Sequence, residues 1–299
     1  MRLAITHETR YSYSPAVQTA QHVAHLQPAD TPCQKVLSHS LHVEPAASVL
    51  HNVDAYCNHR AYWALNNPHD GLLVRACSEI ETSEIEQAKA TQSWESVREH
   101  FRYHGGLPAD VNNGFVFGSH HAPVHEAFTA YAQSSFTPGR ALMPAALELT
   151  ARMHRDFTYA SQSTDINTPA LEALESKRGV CQDFAHILLA CLRSLGLPAR
   201  YVSGYLLTQP PPGQPRLVGS DASHAWASVY LPELASHACQ GWLDLDPTNN
   251  RCGLASPGLD YVRLAVGRDF ADVSPLRGVL QGGGEHTLDV AVTVAPLDE

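Results

Sequence analysis

RGVCQDFAHILLACLRSLGLPARYVSGYL, residues 178–206, opens on a cysteine at the start of a helical pattern. From Cys181 onward, Phe184, Ile187, Leu188, Cys191 and Leu195 recur at helical spacing. Gly196 followed by Pro198 is a conventional helix stop. Gly179 stands just before the helix and permits a tight approach turn. Cys181 is thus expected in the first helical turn, where unpaired N–H groups favour negative charge and lower a thiol's pKa. Free cysteine is ordinarily a small buried hydrophobe. Position alone therefore leaves Cys181 between a packing residue and a nucleophile.

The segments that follow tip the balance. DASHAWASVYLPEL (221–234) and GWLDLDPTNN (241–250) read as two strands joined by a loop. His224, Trp226, Ser228 and Tyr230 share a face of the first, and Trp242, Asp244 and Asp246 share a face of the second. An antiparallel pairing that sets His224 opposite Asp246 also sets Trp226 opposite Asp244. Facing side chains in such a pair are ~4.5–5.5 Å apart at Cβ, close enough for a carboxylate to orient an imidazole. Thiol, base and orienting acid form a Cys-His-Asp relay. Asp246 is favoured over Asp244 because Pro247 ends the strand there, leaving it open to a site. Trp226 and Trp242 are expected to pack in the sheet.

The rest of the chain supplies context. It has 299 residues, 44% of them hydrophobic and 17% charged, the composition of a globular protein with ample core. A net charge of −10 with scattered arginines argues against a nucleic-acid partner. The opening MRLAITHETRYSYS lacks the apolar core of a signal peptide, and no apolar run approaches the ~20 residues of a spanning helix. No membrane attachment and a cytoplasmic location are expected. Seven cysteines without paired spacing do not form a disulfide framework, and the absence of CxxC speaks against a thiolate zinc site. His120, His121 and His125 lack the spacing of a zinc helix, so no metal or other cofactor is expected.

Residues 1–90 read as an antiparallel β domain. Leu3, Ile5, His7, Thr9, Tyr11 and Tyr13 alternate onto one face, as do Leu37, Leu41 and Val43, and then Leu72, Val74, Ala76 and Ile80. Residues 91–299 are expected to form the catalytic core with a C-terminal β segment. Within it, ALMPAALELTARMHRDF (141–157) carries a helical stripe, and TPALEALES begins with Thr168 as N-cap and Pro169 as first helical residue. QPPPGQPRLVGSDAS (209–223) reads as a long surface loop. His186 is expected to be structural, since five residues beyond Cys181 it points about 140° away around the helix. Arg268, Asp269 and Asp272 are expected to form a buried salt bridge. QGGGE (281–285) is a flexible turn rather than a phosphate loop.

GVCQDFAH (179–186), SHAWASVYL (223–231) and WLDLDPTN (242–249), in this order, resemble the bacterial transglutaminase-like proteins, a branch of the papain-like thiol enzymes. FTYASQST, ARYVSGYL and AVGRDFADVSPLRGVLQGGG are similar to further parts of that family's core. HETRYSYS, HLQP and DAYCNHR resemble the β domain preceding it; family members more often carry glycine where this chain has Cys57. The resemblance implies an α+β fold, a papain-like core in which the nucleophile helix packs on an antiparallel sheet, preceded by the small β domain. It implies Cys181 as nucleophile, His224 as base and Asp246 as orienting acid, acting on a peptide, protein or other amide through a thioester. The Cys181 N–H plus a second donor, Gln182 or Tyr159, would form the oxyanion hole. Amide hydrolysis is the expected outcome, with transamidation as the alternative. A non-catalytic binding module and a metal hydrolase using the histidine-rich loop are the other classes.

Overall fold

Period-two alternation of buried and exposed side chains builds the first sheet. Its strands are β1 (Arg2–Ala24), β2 (Gln34–Glu44), β3 (Leu50–Val53), β4 (His59–Leu65) and β5 (His69–Thr82). The computed structural model describes residues 1–102, 110–160, 168–207 and 223–297. As expected, Leu3, Ile5, His7 and Thr9 are buried together on β1, and Leu72, Val74, Ala76 and Ile80 on β5. Leu37 departs from the expectation and is exposed. A register shift between Val36 and Ser38 inserts an extra residue there, which throws Leu37 off the inner face.

Helices α1 (Trp94–His100), α2 (Glu126–Ala132) and α3 (Leu142–Asp156) follow. Strand β6 (Thr158–Tyr159) and helix α4 (Ala170–Ser176) lead to β7 (Arg178–Gly179) and α5 (Cys181–Ser194). Pro169, in extended conformation, is the N-cap of α4, so the helix begins one residue later than the Thr168–Pro169 reading expected. Helix α5 is buried around its whole circumference from Asp183 to Arg193. Burying each of Phe184, Ile187, Leu188, Leu189 and Leu192 contributes about 1.5–3 kcal/mol. Gly196, at φ +78°, ends it as expected.

The second sheet contains β8 (Ala199–Leu206), β9 (Ser223–Tyr230), β10 (Trp242–Asp246), β11 (Arg251–Leu254) and β12 (Tyr261–Gly267). Its order is β11-β10-β9-β8-β12, every pair antiparallel. Helix α5 lies against β8 and β9, with α2 and α4 on its other sides. After α6 (Phe270–Val273) the chain returns to the first sheet. There β13 (Leu276–Gly282) pairs with Val17–Ala24 of β1, and β14 (Glu285–Pro296) with Leu3–Ser14. The architecture is the expected α+β one. The proline-rich segment 209–222 and residues 103–109 of the histidine-rich stretch lie outside the described residues.

Two backbone positions give testable consequences. Cys57 is exposed and has φ +65°, in a turn where Asp54 Oδ1 accepts the N–H groups of Tyr56 and Asn58. A side chain in that region costs about 1–2 kcal/mol, and glycine recovers most of it despite its larger unfolded-state entropy. Cys57→Gly is expected to raise the unfolding free energy by about 1 kcal/mol in urea titration. At Gly204 of β8, an added Cβ would lie 2.2 Å from the Val262 carbonyl oxygen and 2.6 Å from the Trp226 ring. Gly204→Ala must therefore displace backbone and is expected to cost about 1–3 kcal/mol, seen as a lowered denaturation midpoint.

Candidate active site

Cys181 is the first residue of α5, and Val180, extended at φ −111°, is its N-cap. Valine has no side chain to cap with. Asp183 instead reaches back and accepts the Val180 N–H at 2.8 Å. Gly179 makes this reach feasible, since a Cβ there would sit 2.6 Å from Asp183 Oδ2. The parallel bridge of β6 to β7, with the Ala160 N–H donating to the Gly179 carbonyl at 2.9 Å, pins the approach to the cysteine.

His224 stands near the start of β9 and Asp246 at the end of β10. Their register differs from the sequence expectation by two residues: Asp244 faces Ser228 rather than Trp226, and Trp242 faces Tyr230 rather than Ser228. A slip of two leaves every side chain on its face, because two is the strand period. Trp226 Nε1–H therefore still donates to Asp244 Oδ2 at 2.9 Å, and His224 Nε2 still meets Asp246 Oδ2, at 2.7 Å. The contacts are diagonal rather than directly across.

Asp246 is fully buried with five donors around it. Oδ1 accepts the N–H groups of Thr248 and Asn249, at 2.9 and 3.3 Å. Oδ2 accepts from His224, from the Tyr261 hydroxyl at 2.7 Å and from Asn249 Nδ2 at 2.8 Å. Burial alone would raise its pKa, but these bonds, His224 foremost, hold it below the ordinary carboxylate value. Burial likewise pulls His224 down. Its hydrogen bonds to Asp246 and to Cys181 outweigh that and lift its pKa to about 10. With Nε2 on the carboxylate, Nδ1 is the ring nitrogen left for the thiol.

The structure thus brings Cys181, His224 and Asp246 into one chain of contacts. Gln182 borders the same cavity, of about 100 Å³, as Cys181 and His224. Tyr159 is 55% exposed, edge-on to Phe184, and is not among the described residues bordering that cavity. Trp226 and Trp242 are buried in the sheet, and neither borders it. His186 is buried, accepts the Phe270 N–H through Nε2 at 3.2 Å and stacks on His121 and Tyr201. Its burial drops its pKa to about 3. The Arg268–Asp272 pair is half-exposed rather than buried, while Asp269 caps α6 and accepts the His121 N–H at 2.9 Å. Among the described residues, no group of three or more His, Cys, Asp and Glu is placed to hold a metal ion.

Two participants were not found in the sequence. Asn249 carried a usable signal, since Asp246-Pro247 begins the kind of turn in which an aspartate captures the following N–H groups. Tyr261 carried none, as it arrives from a distant strand. Tyr261→Phe is expected to remove one charge-assisted bond worth about 1.5–3 kcal/mol in stability. It should also lower turnover while leaving the KM nearly unchanged, because the hydroxyl meets Asp246 and Asn249 and does not border the cavity.

Residues 129–247 match the model of the transglutaminase-like superfamily, and residues 3–81 that of the bacterial transglutaminase-like N-terminal region. An uncharacterized protein of Mycobacterium tuberculosis is 38% identical over 304 residues, spanning 99% of this chain and 93% of that protein. The chain belongs to the transglutaminase-like superfamily. In it the bacterial N-terminal region precedes the core. A protein-glutamine gamma-glutamyltransferase of Pseudomonas aeruginosa is 32% identical over 98 residues, 32% of this transglutaminase-like chain but only 14% of that protein. A solved Cytophaga hutchinsonii protein, described as a candidate cysteine protease, superposes with a TM-score of 0.76 at 22% identity. It covers 100% of this chain and 91% of that one, a likeness of fold.

Proposed function

We propose that this protein is a thiol-dependent acyl-transfer enzyme that cleaves an amide or peptide bond. The observation that carries the reading is His224, bonded to Asp246 at 2.7 Å and sharing one cavity with Cys181, whose thiol is on the first residue of a helix. Cys181 Sγ attacks the carbonyl carbon, and the imidazolium of His224 gives its proton to the departing amine. Asp246 keeps the ring oriented throughout. The Cys181 backbone N–H, without a partner among the described residues at the helix start, and a second donor stabilise the oxyanion. Gln182 is the better placed of the two sequence candidates for that donor, since it borders the cavity and Tyr159 does not.

Water resolves the thioester in this reading. No carboxylate stands among the described residues around the cavity, so none of these residues draws in an ammonium acceptor. A cytoplasmic setting is proposed with it, supported by seven free cysteines, two of them exposed. Recovery of the protein in a periplasmic or secreted fraction would count against that setting.

The test is incubation with a proteome-derived peptide library, with and without a fluorescent primary amine, read by mass spectrometry. New carboxyl groups without amine incorporation, lost in Cys181→Ala, are the expected result. Preferential amine incorporation would replace hydrolysis by transamidation. Activity that survives in Cys181→Ala would remove the thiol mechanism.

A further inference from the structure

The cavity beside Cys181 and His224 is small and its walls are apolar and braced. Besides the two reacting residues, Tyr201, Tyr205, Leu264 and Phe270 form its apolar wall around about 100 Å³, with Gln182, Ser203 and Ser223 also bordering it. A cavity of about 150 Å³ holds a benzene-sized group, so this smaller space suits a group of a few carbons. Leu264 is aimed there by a bulge: Arg263 pairs with Gly204 and Ala265 with Ser203, leaving Leu264 between them unpaired.

The back wall belongs to both sheets. Tyr205 and Leu264 share a buried cluster with Leu3 and Ile5 of β1 and Val292 and Val294 of β14. The Tyr205 hydroxyl is bonded to His7 Nδ1 at 3.0 Å, and His7 Nε2 to Thr9 Oγ1 at 3.2 Å. A wall fixed by close packing on its far side cannot retreat to admit a larger group. Apart from Cys181 and His224, no ionisable acid or base other than the two tyrosines borders the space among the described residues. His7, behind Tyr205, is held neutral by burial, with a pKa lowered to about 4. With His224 committed to Cys181 and Asp246, a charged substituent entering would lose its water and meet otherwise only neutral groups such as Gln182, Ser203 and Ser223.

We propose that this cavity receives the acyl side of the substrate and restricts it to short, uncharged aliphatic groups, the first sheet bracing the wall that sets the limit. The inference rests on the thiol reading above.

The test uses p-nitrophenyl acetate, butyrate, octanoate and hydrogen succinate with the full chain. Cys181 Sγ forms a thioester as the ester C–O bond breaks and nitrophenolate leaves; water then releases the carboxylic acid and restores the thiol. Acylation is followed by nitrophenolate release and by the mass of the Cys181 peptide. Acetyl and butyryl groups are expected to load Cys181 at least about ten-fold faster than octanoyl and succinyl groups. Leu264→Ala is expected to speed octanoyl transfer selectively; should that variant fail to fold, the ester series on the unmodified protein decides. Octanoyl or succinyl transfer as fast as butyryl would overturn the size and charge limit while leaving the thiol reading intact. Failure of every ester to load Cys181 would overturn both.

Discussion

Iodoacetamide is expected to alkylate Cys181 faster than the exposed Cys57 and Cys252 below pH 7, and His224→Ala is expected to abolish that advantage. The same substitution should lower turnover by about 10²–10⁴-fold, the usual contribution of a positioned acid–base group. The reason is the environment of the imidazole. Burial disfavours its charge, yet Asp246 on one nitrogen and Cys181 on the other favour it more, which raises its pKa to about 10. The ring is therefore cationic beside the sulfur across the neutral range. The same shift has a stability consequence. The folded-state value lies above the ordinary 6.5, so the stabilisation is fully present below about pH 6.5 and is lost as pH rises through about 10. Site-resolved mass spectrometry of the alkylated cysteines measures the first effect, and urea titration across pH the second. Equal reactivity of Cys181 and the exposed cysteines would favour a non-catalytic binding module.

Asp246→Ala is expected to be the most damaging substitution to stability and turnover together. It removes the acceptor of five donors inside a fully buried site: two backbone N–H groups, Asn249, Tyr261 and His224. Breaking a buried pair by deleting one partner costs about 3–5 kcal/mol, because the remaining groups stay desolvated and unpaired. The imidazole also loses the contact that orients it, so Cys181 alkylation at neutral pH should fall toward that of the exposed cysteines. Asp244→Asn provides the control. Asp244 is equally buried but serves Trp226 and Ser228, so it should destabilise while leaving Cys181 reactive. Similar loss of Cys181 reactivity in both variants would undo the assignment of Asp246 as the orienting acid.

Much of the site was legible because its parts sit on elements with clean periodicity. Helical spacing from Cys181, closed by Gly196 and Pro198, placed the thiol in the helix's first turn, and the structure puts it on the first residue. Strand parity placed His224, Trp226, Asp244 and Asp246 on one face, and parity survived even though the register differed by two. The register was not legible because it depends on the loop between the strands and on the neighbouring β8. Leu37 failed for a related reason, since a bulge is one extra residue that local alternation cannot reveal. The return of β13 and β14 to β1 was equally hidden, as pairing between the two ends of a chain leaves no local mark.

Cys57 shows how a sequence departure acquires a physical cause. The resemblance expected glycine there, and a φ of +65° explains why that residue suits the turn.

By itself, the order and spacing of residues placed Cys181 at a helix start, set His224 and Asp246 on matching strand faces and favoured Asp246 over Asp244. These follow from short-range rules: helical and strand periods, caps and stops. The α+β class came from the family resemblance. Only the tertiary structure decided that Tyr261 and Asn249 share the carboxylate with His224, that Asp183 caps the cysteine's helix through Gly179, and that His7 braces Tyr205 behind the cavity. The contacts of Tyr261 and His7 join residues far apart in the chain, and those of Asn249 and Asp183 depend on how a turn and a helix start are built. Burial then makes each hydrogen bond strong by excluding water, a property of the packed interior that no local stretch of sequence contains.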